Sequence, residues 1–295
     1  MSVPSLSGMR QSLGRSLFER IAGEDGEARR ERIHSRAGPR WFDEGSPIRR
    51  VHADASMFVG GLGALLLQSL HPRAMAAVAE HSGFRGDPWG RLQRTSAFLA
   101  VTTFGASDDA ERAVSQVRAV HERVTGVTLD GQPYHASDPH LLAWVHLAEV
   151  YCFLRAHQRY GARPLDRAGR DGYVADAAVV AGRLGVQHPP TDEAALVRQL
   201  EEFRPELRST TQSRAAAWFL LVDPPLPWPA RPAYTVLSTA AVGLLPRWAR
   251  LPLRLPYLPV TEATVVRAGG VLLTSGIRFV MTPPPPPAAG RGPAR

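Results

Sequence analysis

Across residues 46–281 apolar side chains recur at spacings of three and four, the period of an amphipathic helix, and no succession of short alternating runs marks a sheet. The pattern predicts helices over 53–70, 89–104, 107–126, 138–161, 192–203, 205–222, 234–245 and 262–281. His71-Pro72 breaks the first, a polar turn through Gly83, Gly86, Asp87 and Pro88 precedes the second, and Gly105 closes it. Ser107 is the expected N-cap of the third, with Asp108, Asp109 and Glu111 at the positive end of its dipole and Gly126 as its stop. Asp138-Pro139 opens the fourth in the same way. Gly60, Gly61 and Gly63 sit inside the first helix, where they lower its stability but let another helix or a flat cofactor approach its backbone. The expected architecture is therefore all-α. A single helical domain covers 46–281, a flexible, partly helical polar arm covers 1–45, and a disordered Pro-rich tail covers 282–295, where five consecutive prolines from Pro283 exclude helix.

Composition narrows the chemistry. All 35 basic residues are arginine, so a Schiff-base lysine and a Walker A phosphate loop are excluded. Cys152 is the only cysteine, which excludes an intrachain disulfide, a cysteine zinc site and a thiolate-held iron–sulfur cluster, and fits a reducing compartment. Arg10, Arg15 and Arg20 interrupt the first residues, so no export is expected and the localisation read from the sequence is cytoplasmic. The longest apolar stretches, 57–67 and 233–245, fall short of the roughly 20 residues that span a bilayer, and no transmembrane helix is expected. The net charge of +8 is uneven: residues 226–295 carry 8 Arg against the single Glu262. Arg247, Arg250 and Arg254 alternate there with Leu245, Trp248, Leu251, Leu253 and Tyr257, a mixture suited either to an anionic membrane surface or to arginine stems covering a core edge.

Three groups of residues could carry chemistry. Val114, Val117, His121 and Val124 form one apolar stripe, which places His121 on an inward face, as a hydrogen-bonded core residue or as a metal ligand. Arg91, Arg94 and Thr95 share one side of the preceding helix, with Phe98 and Thr102 further along it. Guanidiniums turned inward need anions, and propionates, phosphate or a substrate carboxylate would serve; a solvated face near Glu80 or Asp87 is the alternative. His146 lies in a helix apolar nearly all round, with Glu149 three residues on, spaced for a His/Glu hydrogen bond or for a cofactor contact. A ferritin-like di-iron site would need two Glu-x-x-His pairs, and only this single reversed pair occurs. His71 reads as a helix-end contact, and His81, His135, His140, His157 and His188 show no arrangement.

The run from Arg91-Leu92-Gln93-Arg94-Thr95 through Phe98 to Thr103-Phe104-Gly105, followed by Val117-Arg118-Ala119-Val120-His121, resembles the catalytic domain of the MpaB-type oxygenases and of the rubber oxygenase called latex clearing protein. His71-Pro72-Arg73, Asp87-Pro88-Trp89, Gly131-Gln132-Pro133-Tyr134 and Trp144-Val145-His146 resemble bacterial members of the same broad family. The resemblance, over roughly residues 45–280, implies a globin-like helical fold holding haem b, with a histidine as axial iron ligand and an Arg-x-x-Lys-Thr group near the open face. His121 matches that histidine, Arg91 the arginine and Thr95 the threonine, while Arg94 stands where the rubber oxygenase has lysine. The lysine's capacity to occupy the sixth iron position therefore has no equivalent, and Glu80 is the nearest candidate by position for the rubber enzyme's glutamate. The implied site is catalytic Arg91, Arg94 and Thr95, with His121 on the metal, and with Arg118, His146, Phe98, Arg91 and Thr95 about the cofactor. Phe58 and Trp144 are expected beside Phe98 in the pocket wall.

The expected function is haem-dependent oxygenation of an apolar, unsaturated small molecule or lipid by O2, with an unidentified electron donor and peripheral membrane contact. A haem carrier or sensor without turnover shares every expected ligand. Nucleic-acid binding is the rival on charge alone, but the basic excess falls in a Pro- and Leu-rich segment with no recognition helix. No Gly-x-Ser-x-Gly elbow or Rossmann glycine fingerprint stands where hydrolase or dehydrogenase chemistry would need it.

Overall fold

A computed structural model of the chain describes residues 6–83 and 86–282. The elements are α1 (Leu6–Ala22), α2 (Gly26–Ser35), α3 (Pro47–His52), α4 (Met57–Gln68), α5 (Pro72–His81), α6 (Pro88–Phe104), α7 (Ser107–His121), β1 (Thr125–Val127), β2 (Pro133–His135), α8 (Pro139–Tyr160) and α9 (Arg167–Leu184). There follow α10 (Glu193–Glu202), a 3₁₀ turn (Arg204–Glu206), α11 (Thr211–Leu221), α12 (Arg231–Val242), the short α13 (Arg247–Arg250), α14 (Pro259–Thr261) and, after a π-helical stretch over Glu262–Val266, α15 (Arg267–Met281). The protein is all-α apart from the antiparallel β1–β2 hairpin, which pairs Gly126 with Tyr134. The expected disordered tail, beyond Thr282, lies outside the described residues.

The centre is α4 against α8. α4 is apolar nearly all round and buries 7 of its 12 residues, and α8 buries 11 of its 22. The glycines of α4 answer to helices: a Cβ at Gly60 would sit 2.7 Å from the Phe153 ring and 3.2 Å from Ala156 of α8, and one at Gly63 would meet Cys152 Sγ at 3.5 Å and Ala241 O of α12 at 3.6 Å. Close helix approach, rather than a flat cofactor, is what these glycines permit. Beside this stack α9 packs on α3, α8 and α10, α6 packs on α7, and α15 packs on α12 and α1. The N-terminal arm is tied to the body: α1 lies on α6 and α15, and Ile33 and Phe42 are buried.

Four boundaries depart from the sequence pattern. α7 begins one residue after Ala106, because the Ser107 hydroxyl donates to Pro39 O (3.0 Å) instead of capping its own helix. α7 stops at His121, since Thr125–Val127 pairs in the hairpin that buries Tyr134 against α5. α9 was not legible because Gly169, Gly172 and Gly182 dilute its helix propensity. It is held by the Asp166 cap, by Gly185 in the left-handed region (φ +107°), and by burial of Tyr173, Val174, Ala177 and Ala181. The helix expected from Pro205 splits into the 3₁₀ turn and α11, where Thr210 and Ser213 form a reciprocal cap.

The C-terminal segment brings two corrections. Arg250, read with Arg247 and Arg254 as an exposed basic surface, is buried: it pairs with Glu262 at 2.5 Å and donates to Leu245 O and Gly243 O, while Arg247 and Arg254 stay exposed. The run Pro259–Met281 is, by length and composition, apolar enough to cross a membrane, against the expectation of none. Glu262, Arg267 and Arg278 break its apolar run in sequence, yet the helix continues through them. Only 17% of its apolar window is buried.

Candidate functional site

Asp87 starts α6 by accepting the Gly90 N–H (2.8 Å), with Pro88 in the first turn where its missing donor costs nothing. That N–H, with Arg94 second, lowers the Asp87 carboxyl below its ordinary range. Arg94 is exposed and pairs with Asp87 at 3.2 Å, and Thr95 is exposed too. Arg91 differs from both. It is partly buried, donates to Ser82 Oγ at 3.0 Å, and has no ion pair among the described residues. Desolvation, with Arg94 repulsion second, lowers its affinity for its proton. A desolvated guanidinium without a counter-charge is a receptor for an anion. Phe98, two turns along, is partly buried.

His121 is the last residue of α7 and is partly buried, its stripe continued by buried Val114. Its Nδ1 is buried with no hydrogen-bond partner, and burial holds its pKa below the ordinary imidazole value. The ring is therefore neutral at pH 7, the form able to ligate a metal. Arg118, one turn earlier, is exposed and reaches the carbonyl of Arg183 at the end of α9 (3.5 Å).

On α8 the His146–Glu149 hydrogen bond that the spacing allows is not formed: His146 Nε2 is buried without a partner, and Glu149 has neither hydrogen bond nor ion pair among the described residues. Burial lowers His146 to about 4 and raises Glu149 to about 7. Both nevertheless keep some accessible area. Both are thus desolvated by their surroundings without being fully closed over. α6 lies on α7 and α8 on α9, whereas α8 does not pack closely on α6 or α7. Trp144 does not share the face of His146 and Glu149. It is fully buried on another face of α8, donating to Gln68 O (3.1 Å) and packed on Phe203. Phe58 is partly buried.

Two features escaped the sequence reading. His52, its pKa pushed down to about 3 by burial, bonds Thr103 Oγ1 (2.8 Å) and the Tyr173 hydroxyl (3.4 Å). His71, His140 and Glu206 converge at the opposite end of α8 from Tyr160. Both unite residues dozens of positions apart, for which no local spacing is diagnostic.

Arg91 and His121 thus stand on two helices that pack on each other, α6 and α7. Over residues 49–275 the sequence matches the family described as the catalytic domain of ER-bound oxygenase mpaB/B′ and rubber oxygenase, and the chain belongs to that family. Neither the curated proteins nor the solved structures contain a match.

Proposed function

We propose that the protein is a haem b-dependent oxygenase acting with O2 on an apolar, unsaturated small molecule or lipid. One observation carries the reading: a neutral, unpartnered imidazole on α7 and a desolvated, uncompensated arginine on the adjoining α6. His121 would hold haem iron through a ring nitrogen, and Arg91 would meet a propionate carboxylate. Membership of an oxygenase family supports the reaction class. Haem, when bound, would supply the redox and O2 chemistry that the side chains lack.

The chain's own part is binding, orientation and proton handling. His121 lends a ring-nitrogen lone pair, which its low pKa keeps available. Arg91 pairs with a carboxylate, and its bond to Ser82 orients the guanidinium. Arg94 is already engaged by Asp87, so Arg91 bears this role, with Thr95 and Arg118 at the exposed rim. Glu149, titrating near neutrality, can take or release a proton at its carboxyl, and His146 contributes a second neutral imidazole to a crevice that we propose runs between α6, α7 and α8. Phe98 excludes water.

The absorption spectrum of the protein reconstituted with haem tests this reading. A Soret band in the wild type, lost or shifted in His121→Ala and weakened in Arg91→Ala, is expected. No band after reconstitution, or an unchanged one in His121→Ala, refutes it. O2 uptake driven by unsaturated lipids or terpenes separates an oxygenase from a haem carrier.

The same reading places the protein at the cytoplasmic face of a membrane. Val260, Val265, Leu272 and Phe279 are 62–76% exposed along Pro259–Met281, close in sequence to exposed Arg247, Arg254 and Arg267. Such a helix suits an in-plane position in an anionic interface. Co-flotation with phosphatidylserine vesicles that weakens with salt and is lost in Leu272→Glu would support it; equal flotation with neutral vesicles at all salt concentrations would not.

A further inference from the structure

His71, His140 and Glu206 come from three separate elements: the N-cap of α5, the first turn of α8, and the 3₁₀ turn after α10. One donor atom from each lies within 4.8 Å of the other two. His140 Nε2 is 2.8 and 3.0 Å from the two Glu206 oxygens, and His71 Nε2 is 3.4 Å from Glu206 Oε2. Two ligands each about 2.0–2.1 Å from a tetrahedral zinc ion stand ~3.3 Å apart. The separations from the two histidines to Glu206 bracket that value, and His71 and His140 offer ring nitrogens within 4.8 Å of each other.

A second, independent observation concerns His71. Its side chain is 2% exposed; Nδ1 has no hydrogen-bond partner among the described residues, and Nε2 has the Glu206 carboxylate, 3.4 Å away. A fully buried imidazole with one nitrogen unmet and the other held only by a long contact is rare, because each unmet polar atom costs its desolvation. Nε2 faces the Glu206 carboxylate, so a cation between them would complete its bonding.

The surroundings hold the donors in place. His140 stacks on Phe203 with ring centroids 4.5 Å apart, and His71 lies against both Phe203 and Trp144. The backbone N–H of Arg208 donates to Leu70 O (2.9 Å), fixing the segment after Glu206 beside His71. The nearby charges are Arg73, 3.9 Å from Glu206 and 3.7 Å from Asp138, and Asp138 itself. Two carboxylates against one guanidinium leave net negative charge, and Arg73 can keep Asp138 when a metal takes Glu206. His140 is exposed and Glu206 half-exposed, so a fourth position opens to water.

We propose that His71, His140 and Glu206 bind one divalent transition-metal ion of the zinc class, separate from the α6–α8 crevice, tying α5, α8 and the α10–α11 connection together. Two imidazoles and one carboxylate are a borderline donor set that prefers Zn2+ over Mg2+ or Ca2+.

The test uses the untagged full chain after chelator treatment, titrated with Zn2+ by calorimetry and with Co2+ by visible absorption. One ion per chain is expected, with a micromolar or tighter Kd and Co2+ d–d bands. Losing an outer-sphere partner already weakens metal sites 10–100-fold, so losing a ligand in His140→Ala or Glu206→Gln should weaken binding ~100-fold or more. His140 is exposed and Gln is isosteric with Glu, so both variants keep the fold. Zn2+ at 100 times the wild-type Kd should raise the wild-type melting midpoint by about 5 °C and that of His140→Ala by about 1 °C or less. The proposal is overturned if His140→Ala binds as tightly as wild type, if affinity disappears in His81→Ala instead, or if the wild type shows no saturable site. His121→Ala should not alter Zn2+ affinity, which keeps this outcome independent of the haem reading.

Discussion

Glu149→Gln tests the crevice on α8 directly. In the unfolded chain this carboxyl ionises near 4.5, and in the folded protein burial raises that to about 7. The folded state thus holds its proton longer. Stability from this group is fully present below pH 4.5, falls as pH rises through 7, and is flat above it. At about 1.4 kcal/mol per tenfold change in ionisation constant, the whole loss is ~3 kcal/mol, of which ~2.5 kcal/mol falls between pH 5 and pH 8. Glutamine is nearly isosteric and does not ionise, so the variant escapes the loss. Any penalty for its amide is the same at both pH values and cancels in the comparison. Urea unfolding of haem-free wild type and Glu149→Gln at pH 5 and 8 should show the variant gaining ~2.5 kcal/mol relative to wild type at the higher pH. A difference that does not change with pH would mean that Glu149 is solvated, and the crevice argument would fall with it.

Other perturbations probe the frame around that site. His146→Phe should flatten the acid limb: burial lowers His146 from 6.5 to about 4, so the wild type loses ~3 kcal/mol as pH falls through that window, measurable by urea midpoints at pH 7 and 4. Gly60→Ala should destabilise by about 1–3 kcal/mol, since the new Cβ would stand 3.0 Å from the Phe153 backbone; unchanged thermal melting would show that α4 and α8 can part freely. Arg250→Ala should destabilise by about 3 kcal/mol or more, because Glu262, 13% exposed, loses its partner, and Arg250→Ala/Glu262→Ala should recover part of that loss in a double-mutant cycle.

Much of the helix inventory was legible because its signals are local. Asp87 and Asp138 cap the helices at which their sequence positions point, and Gly105 follows α6 as expected. The inward face of α7 was legible from Val114, Val117 and His121, spaced by three and four. For Arg94 and Thr95 the same rule left an inward and a solvated face open, and the structure has the solvated one, with Arg94 on Asp87. Helical spacing puts them on the side of Arg91, but Asp87 draws Arg94 outward while Arg91 turns toward Ser82. Periodicity assigns a face, and the partner available at each end of a long side chain decides its direction.

What the sequence alone determined is what depends on near neighbours and on composition: the helical class, most helix starts, the absence of thiol and lysine chemistry, and the family to which the order of its motifs belongs. The tertiary structure decided everything that requires two distant residues to meet. It gave the α4 glycines to Phe153, Ala156 and Ala241, buried Arg250 on Glu262, and left His146 and Glu149 desolvated without a bond between them. It also drew His71, His140 and Glu206 together from positions with no common spacing. Local propensities act over one or two helical turns, whereas burial, charge compensation and ligand geometry are properties of packed surfaces.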